Sequence, residues 1–429
     1  MTTRTVISLM TTLQMLWLVL IWWSGTAPRP EKLLPLVLYS LVAAVVIGCL
    51  PRTALDSLKR LQRALIQSGP RVWGCGAALF LTAGWLYAST FLGWPDELYV
   101  FAAAKIVAEQ GIGPFFDQYE QIPGLGQQHP PLVILLYGFV MRLCGAELIV
   151  VRMVSLCFAL IALGLTYRIG SELSTRTTGM VAAVWFLCMP FFFRLAPVGL
   201  TDMQVTFCFV LAIFLTLQLV KQPSLWRAAF VGVCIGIGLL CKYTMVLVYP
   251  VILLVWLGSD RVRPLLPVFA IVFLVSLGIF CLWLGYAMQE GIFAGQQALL
   301  SRYAKNMTSS TKGRWWLLQV LVFRLPSGIG VAHLPILAVG FWHLLYRRQR
   351  SDYLLIGWIL AVALPLLLTL PGPRYFSPLF PALAIVMALG VRHIAGDVER
   401  VLLLALAFAS ASLYLFVDWP HAAGGFFTR

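Results

Sequence analysis

The sequence predicts an all-α, polytopic transmembrane helical bundle of about 13 spans. Three observations carry that expectation. Of 429 residues, 61% are apolar and 11% are charged, and a soluble domain carries about twice that charged share. Charge is missing over repeated stretches of about 17–25 residues, the length that crosses a bilayer as helix. No run alternates polar and apolar residues with the period of a barrel strand.

In chain order, spans are expected at 9–25, 33–50, 72–93, 149–167, 177–193, 204–220, 228–241, 244–258, 264–288, 328–346, 353–370, 376–392 and 401–418. Residues 228–241 and 244–258 are each short for a span. The stretch 131–145 is apolar but shorter still, so it either crosses or lies at the interface. Charge decides between these readings. With the N-terminus in the cytoplasm, the loop 51–71 faces inward with Arg52, Lys59, Arg60, Arg63 and Arg71. If 131–145 does not cross, Arg168, Arg176, Lys221, Arg227, Arg261, Arg263, Arg347, Arg348, Arg350, Arg392 and Arg400 also fall inside. Cytoplasmic loops carry the excess of Lys and Arg, so 131–145 is expected to be a juxtamembrane helix.

The expected organisation is therefore two extra spans and a basic, amphipathic cytoplasmic segment over 1–71, followed by a transmembrane catalytic core over 72–420. No soluble C-terminal domain is expected, because the chain ends about ten residues after the last span. The net charge of +15 sits in short loops between apolar segments, which argues for orientation signal and against nucleic acid. The nine cysteines, Cys49, Cys157, Cys208 and Cys281 among them, lie in or beside apolar stretches without a CxxC pair and read as small core residues.

Two long external loops remain. The first, 94–147, is acidic near its start, with Asp96, Glu97, Glu109, Asp117 and Glu120. The second, 289–327, is basic, with Arg302, Lys305, Lys312, Arg314 and Arg324. External basic residues run against the orientation rule, so an anionic ligand or lipid headgroups are expected there.

Ionisable groups at a membrane boundary are costly and are functional candidates by default. Asp96 and Glu97 follow a span in Trp94-Pro95-Asp96-Glu97-Leu98-Tyr99. Adjacent helical residues point in different directions, so the two cannot share one task. One carboxylate could act as general base toward a hydroxyl, while the other holds a metal or orients the first. The plain alternative is a helix cap after proline. His129 opens His129-Pro130-Pro131-Leu132, where it could meet a phosphate or a metal, or simply precede a helix. Asp202 starts a span, as a cap or as a second acidic site residue. Lys242, in a tight turn, could snorkel to the interface or meet a phosphate. Arg374, held among prolines in Pro371-Gly372-Pro373-Arg374-Tyr375, suits bidentate phosphate contact. Arg152 is a further cation in the first turn of its span. Together these place carboxylates and phosphate-type cations on one membrane face.

On these residues the sequence resembles the GT-C superfamily of integral-membrane glycosyltransferases, in the branch of the protein O-mannosyltransferases and the lipid A aminoarabinose transferase. The acidic pair Asp96-Glu97, the string His129-Pro130-Pro131-Leu132, Arg152, Asp202, Lys242 and Arg374-Tyr375 carry the resemblance over about 90–395. It implies Asp96 as catalytic base supported by Glu97, and Asp202 as a second external acid. It implies a polyprenyl-phosphate sugar donor with His129, Arg152, Lys242, Arg374 and Tyr375 on its phosphate side. It further implies juxtamembrane helices in the first external loop and a bacterial inner membrane as location. The extra N-terminal spans and the lack of an accessory C-terminal domain depart from the pattern and leave the acceptor open.

The expected function is transfer of one sugar from polyprenyl phosphate to an acceptor hydroxyl of protein, lipid or glycan on the extracytoplasmic face, with inversion. A divalent metal ion bound by carboxylates could share the stabilisation of the leaving phosphate, though no ligand set in the sequence demands one. A transporter or flippase of lipid-linked sugars is the competing class, and it would place charge at mid-membrane. A non-catalytic lipid-binding scaffold is the third.

Overall fold

The computed structural model describes residues 70–89, 95–122, 129–292, 325–369 and 373–394, with isolated positions at 5, 6, 9, 10, 12, 13, 16, 297, 301, 320 and 321. The expected spans 33–50 and 401–418, most of 9–25 and of the basic segment 51–71, and Arg302 and Lys305 of the second loop lie outside the described residues.

All regular structure among the described residues is helical. The order is α1 (Pro70–Ala88), α2 (Pro95–Gln110), α3 (Ile112–Asp117), a 3-10 turn (Tyr119–Gln121), α4 (Leu132–Cys144), α5 (Leu148–Leu173), α6 (Arg176–Cys188), α7 (Pro190–Leu195), α8 (Asp202–Lys221) and α9 (Leu225–Cys241). A 3-10 turn (Tyr243–Leu247), α10 (Val248–Leu257), α11 (Val262–Gln289), α12 (Leu325–Ile329), a 3-10 turn (Val331–His333), α13 (Leu334–Arg347), α14 (Arg350–Thr369), a 3-10 turn (Pro373–Leu379) and α15 (Phe380–Ile394) complete it. Among the described residues, five stretches are long and apolar enough to cross a membrane: Leu148–Leu173, Asp202–Lys221, Val262–Gln289, Arg350–Leu368 and Arg374–Ile394. The protein is an integral membrane protein.

Short turns reverse the chain after α5, α8, α9, α10 and α13, so these helices are antiparallel to their successors. The beginnings of α5, α8, α10, α13 and α15 and the ends of α1, α6, α9, α11 and α14 thus share one end, the upper end. The lower end carries the basic turns. There Lys221 pairs with Glu172 at 2.6 Å and Arg350 with Asp260 at 2.6 Å. Arg347 pairs with Asp352, whose carboxylate also accepts the Gln349 amide at 2.8 Å.

Burial ranks the helices. The Arg374–Ile394 stretch is 89% buried and that of α8 61%, against 28% for α11. α8 and α15 are therefore the central helices, and α11 presents its apolar side chains outward. Between apolar helices in lipid, close backbone approach takes over from the hydrophobic effect, and small residues permit it. A Cβ on Gly232 of α9 would lie 2.8 Å from Val275 of α11, and one on Gly236 2.9 Å from Ile279. Any larger side chain at either place would push the two helices apart.

Three expected spans take a different form. The stretch 177–193 breaks at Met189, because Pro190 starts a separate short helix, α7. The stretch 328–346 is interrupted at Gly330, whose φ of 95° ends α12 before α13 begins. The stretch 376–392 begins as a 3-10 turn punctuated by Pro373 and Pro378, and only then becomes α15. Over 131–145 the chain forms α4, 13 residues long and so about 20 Å at 1.5 Å per residue. That is too short for a hydrocarbon core of about 30 Å, and α4 packs on α2 at the upper end.

Candidate active site

The upper end gathers the charged residues singled out in the sequence. α2 starts with Pro95, whose fixed φ suits the first helical position, and Asp96 and Glu97 fill the first turn, where the helix dipole favours negative charge. Successive side chains diverge by about 100° around a helix, and the consequence here is complete. Asp96 keeps 53% of its side-chain surface exposed, while Glu97 keeps none.

Glu97 is held on both carboxylate oxygens. Arg152 Nε donates to its Oε1 at 2.9 Å and Nη2 to its Oε2 at 2.8 Å. The third guanidinium nitrogen donates to the Ala88 carbonyl at 2.6 Å. The Gly199 amide donates to Glu97 Oε1 at 2.7 Å. This approach needs glycine, because a Cβ on Gly199 would sit 2.5 Å from Val151. A bidentate pair satisfied in this way ties α1, α2, α5 and the segment before α8 together.

A second buried pair forms where α8 begins and α9 ends. Lys242 Nζ donates to Asp202 Oδ1 at 2.6 Å, with 4% and 2% of the two side chains exposed. Lys242 Nζ also lies 4.5 Å from the centre of the Tyr375 ring. The Arg374 guanidinium carbon stands 5.4 Å from that ring, and its Nη1 is 2.5 Å from Asp96 Oδ2. The result is a continuous string of Asp96, Arg374, Tyr375, Lys242 and Asp202. Both cations lie close to the Tyr375 ring, whose quadrupole attracts positive charge over its face. Ser377 adds a 3.4 Å contact to the Asp202 carbonyl.

His129 stands beside this string. Its carbonyl accepts the hydroxyl of Tyr119, while its buried Nδ1 has no hydrogen-bond partner. Burial, and then the fields of Lys242 and Arg374, hold its pKa well below the usual 6.5. The imidazole is neutral at pH 7, so it can offer a phosphate one N–H but no charge. An aromatic wall backs it. Tyr119 meets Trp283 edge-on at 5.8 Å, and Trp283 Nε1 donates to the Tyr243 hydroxyl at 3.0 Å.

Of the residues expected from sequence, the structure thus joins Asp96, Arg374, Tyr375, Lys242 and Asp202, with His129 adjacent. Glu97 and Arg152 form their own sealed pair. Sequence reasoning passed over Tyr119, Tyr137, Gln204, Tyr243, Trp283 and Ser377. Gln204 carried a signal, being an amide inside an apolar span, whereas the aromatic residues blend into the apolar background. No three His, Cys, Asp or Glu side chains among the described residues are placed to share a metal ion. A cavity of about 270 Å³ lined by Thr175, Thr178, Val391 and Arg392 lies at the lower end, the far end of α15 from this chemistry.

Residues 128–286 match the family of dolichyl-phosphate-mannose-protein mannosyltransferases, a stretch that contains His129, Arg152, Asp202 and Lys242. The fold is similar to that of ArnT from Cupriavidus metallidurans bound to undecaprenyl phosphate, with a TM-score of 0.59, 13% identity, and coverage of 83% of this chain and 79% of that one. It is also similar to the oligosaccharyltransferase of Archaeoglobus fulgidus in complex with Zn and sulfate, with a TM-score of 0.54, 16% identity, and coverage of 78% and 52%. The archaeal oligosaccharyltransferase AglB of that organism, in complex with an inhibitory peptide and a dolichol-phosphate, matches with a TM-score of 0.50, 14% identity, and coverage of 79% and 55%. No curated protein matches the chain by sequence. The fold is that of the GT-C glycosyltransferases. The mannosyltransferase-family match runs through the centre of this membrane-spanning chain.

Proposed function

We propose that this protein transfers one sugar from a polyprenyl-phosphate carrier to an acceptor hydroxyl at the extracytoplasmic surface of the membrane. The observation that carries the proposal is the string from Asp96 through Arg374, Tyr375 and Lys242 to Asp202. It sets an accessible carboxylate directly beside a cluster of cations.

Asp96 is the base. It takes the proton of the acceptor hydroxyl as that oxygen attacks the anomeric carbon. The bond from that carbon to the phosphate oxygen breaks, and its electron pair leaves with the polyprenyl phosphate. One displacement inverts the anomeric centre. The phosphate passes from monoanion to dianion, and fixed cations at that place lower the barrier most. Arg374 suits both halves of the reaction, since a guanidinium has five donors and one contact to Asp96 leaves others for phosphate oxygens. Lys242, held by Asp202 and the Tyr375 face, supplies a second positive charge, and His129 a neutral N–H. Glu97 and Arg152 set the direction of the first turn of α2 and thus of Asp96. Undecaprenyl phosphate on ArnT and dolichol-phosphate on AglB support a lipid phosphate as the leaving group.

The extracytoplasmic location rests on charge. The turns at the lower end hold Arg176, Lys221, Arg227, Arg261, Arg263, Arg347, Arg348 and Arg350, which are expected in the cytoplasm. A unique cysteine at position 109, on exposed Glu109 of α2, should then react with an impermeant maleimide on intact cells. Reaction only after permeabilisation would reverse the orientation.

The activity is tested by giving the purified protein, in liposomes, a panel of undecaprenyl-phosphate sugars with candidate hydroxyl acceptors. Release of undecaprenyl phosphate from one donor is the expected result. Passage of intact donor between leaflets with no release would instead make the protein a flippase.

A further inference from the structure

Tyr137 has no place in the chemistry above, yet it closes a triangle of contacts around it. One side joins α2 to α4. Gly138 of α4 meets α2 so closely that a Cβ there would lie 2.4 Å from Val107 and 2.8 Å from the Ala104 carbonyl. The second side joins α2 to the segment before α8, through Glu97 and the Gly199 amide at 2.7 Å. The third joins α4 to the same segment, where the Tyr137 hydroxyl donates to the Leu200 carbonyl at 2.7 Å. Asp96 rides on the first corner and Asp202, with Lys242, follows directly from the last.

Two close partners orient the hydroxyl. Gln204 Nε2 donates to it at 2.5 Å, so its own proton is directed at Leu200. Tyr137 and Gln204 are both buried. Neither is needed to seal α4 onto α2, which Gly138 does through backbone proximity. Hydrogen bonds in a dry environment that fix a single geometry serve precision as well as stability.

Building on the transferase reading, we propose that Tyr137, oriented by Gln204, is a positioning residue of the transfer reaction. It sets the distance between the base Asp96 and the cationic end at Lys242, and thereby the alignment of acceptor oxygen, anomeric carbon and leaving phosphate. A misplacement near 1 Å can cost about a hundredfold in rate.

The test uses Tyr137→Phe, which keeps the ring and removes one oxygen, and Gln204→Leu, which removes the orienting donor. Each is measured in liposomes for kcat and donor KM with the undecaprenyl-phosphate sugar that the wild type accepts, and for thermal stability. In correctly folded protein, kcat should fall roughly 10- to 100-fold in each variant, with donor KM changed by less than about threefold. The double variant should be no slower than the slower single one, because the two residues act as a unit. A kcat equal to wild type in either folded variant, or a loss matched entirely by a loss of folded protein, overturns the proposal. Where the wild type releases nothing from any donor, the transferase reading fails, and affinity for undecaprenyl phosphate decides this one. Undecaprenyl phosphate carries the extra charge that the leaving group develops and the donor lacks, so Tyr137→Phe should then bind it about tenfold more weakly, since Lys242 is displaced, and unchanged affinity overturns the inference.

Discussion

Arg374 reaches Asp96 across 278 positions of sequence, with its side chain mostly buried and the carboxylate half exposed. The asymmetry orders the site. The cation comes from the protein side, between Tyr375 and the end of α14, while the carboxylate stays open to an incoming hydroxyl. In the proposed reaction this contact joins the base to a phosphate ligand, and so links the two ends of one displacement.

Arg374→Ala should therefore damage both ends. We expect kcat to fall about 100-fold and donor KM to rise, since a guanidinium at a developing dianion is worth a few kcal/mol. Arg374→Lys should recover only part of this, because an ammonium cannot span carboxylate and phosphate with a planar fork. Steady-state release of undecaprenyl phosphate reads it directly. Wild-type kinetics in Arg374→Ala would remove this residue from the site.

The sealed pair of Glu97 and Arg152 makes a prediction about stability. Glu97→Gln leaves a buried guanidinium without its counter-charge and should cost about 3–5 kcal/mol. Arg152→Met strands the carboxylate and should cost about as much. Replacing both, as Glu97→Gln with Arg152→Met, should cost less than the sum, because no buried charge is then unpaired. Thermal melting in detergent of the three variants measures this. Strictly additive losses would mean that the two side chains do not act on each other.

His129 gives a dependence on pH. Its pKa in the folded protein lies well below that of the free side chain, chiefly through burial. Below about pH 6.5 the unfolded chain binds a proton that the folded one refuses. The contribution to stability is thus fully present above that pH and is lost as pH falls toward the folded value. Between pH 7.5 and 5.5 the melting temperature should drop more in the wild type than in His129→Gln. Parallel curves would place His129 in contact with water.

Much of the fold was legible because lipid leaves the backbone few choices. The spans over α5, α8, α11, α14 and α15 follow from uninterrupted apolar runs, and charge in the turns separated α4 from them. What escaped was local. Pro190, Gly330 and Pro378 break or delay helices through backbone geometry that hydropathy does not register. At the site, the charges stood out against an apolar chain, but their pairing did not. Asp96 and Glu97 are neighbours with opposite fates, fixed by a helical turn that buries one against Arg152 and leaves the other facing Arg374. Tyr137 was invisible, because a tyrosine in an apolar helix carries no mark of the carbonyl it meets.

Release of undecaprenyl phosphate by wild type and Asp96→Asn, side by side in liposomes with the accepted donor, shows whether Asp96 is the base. The substitution keeps shape and hydrogen bonding to Arg374 but cannot take the proton. We predict a loss of roughly 100- to 10,000-fold in kcat, with donor binding retained. Equal release from both proteins would clear Asp96 of the role and leave the proton to another acceptor.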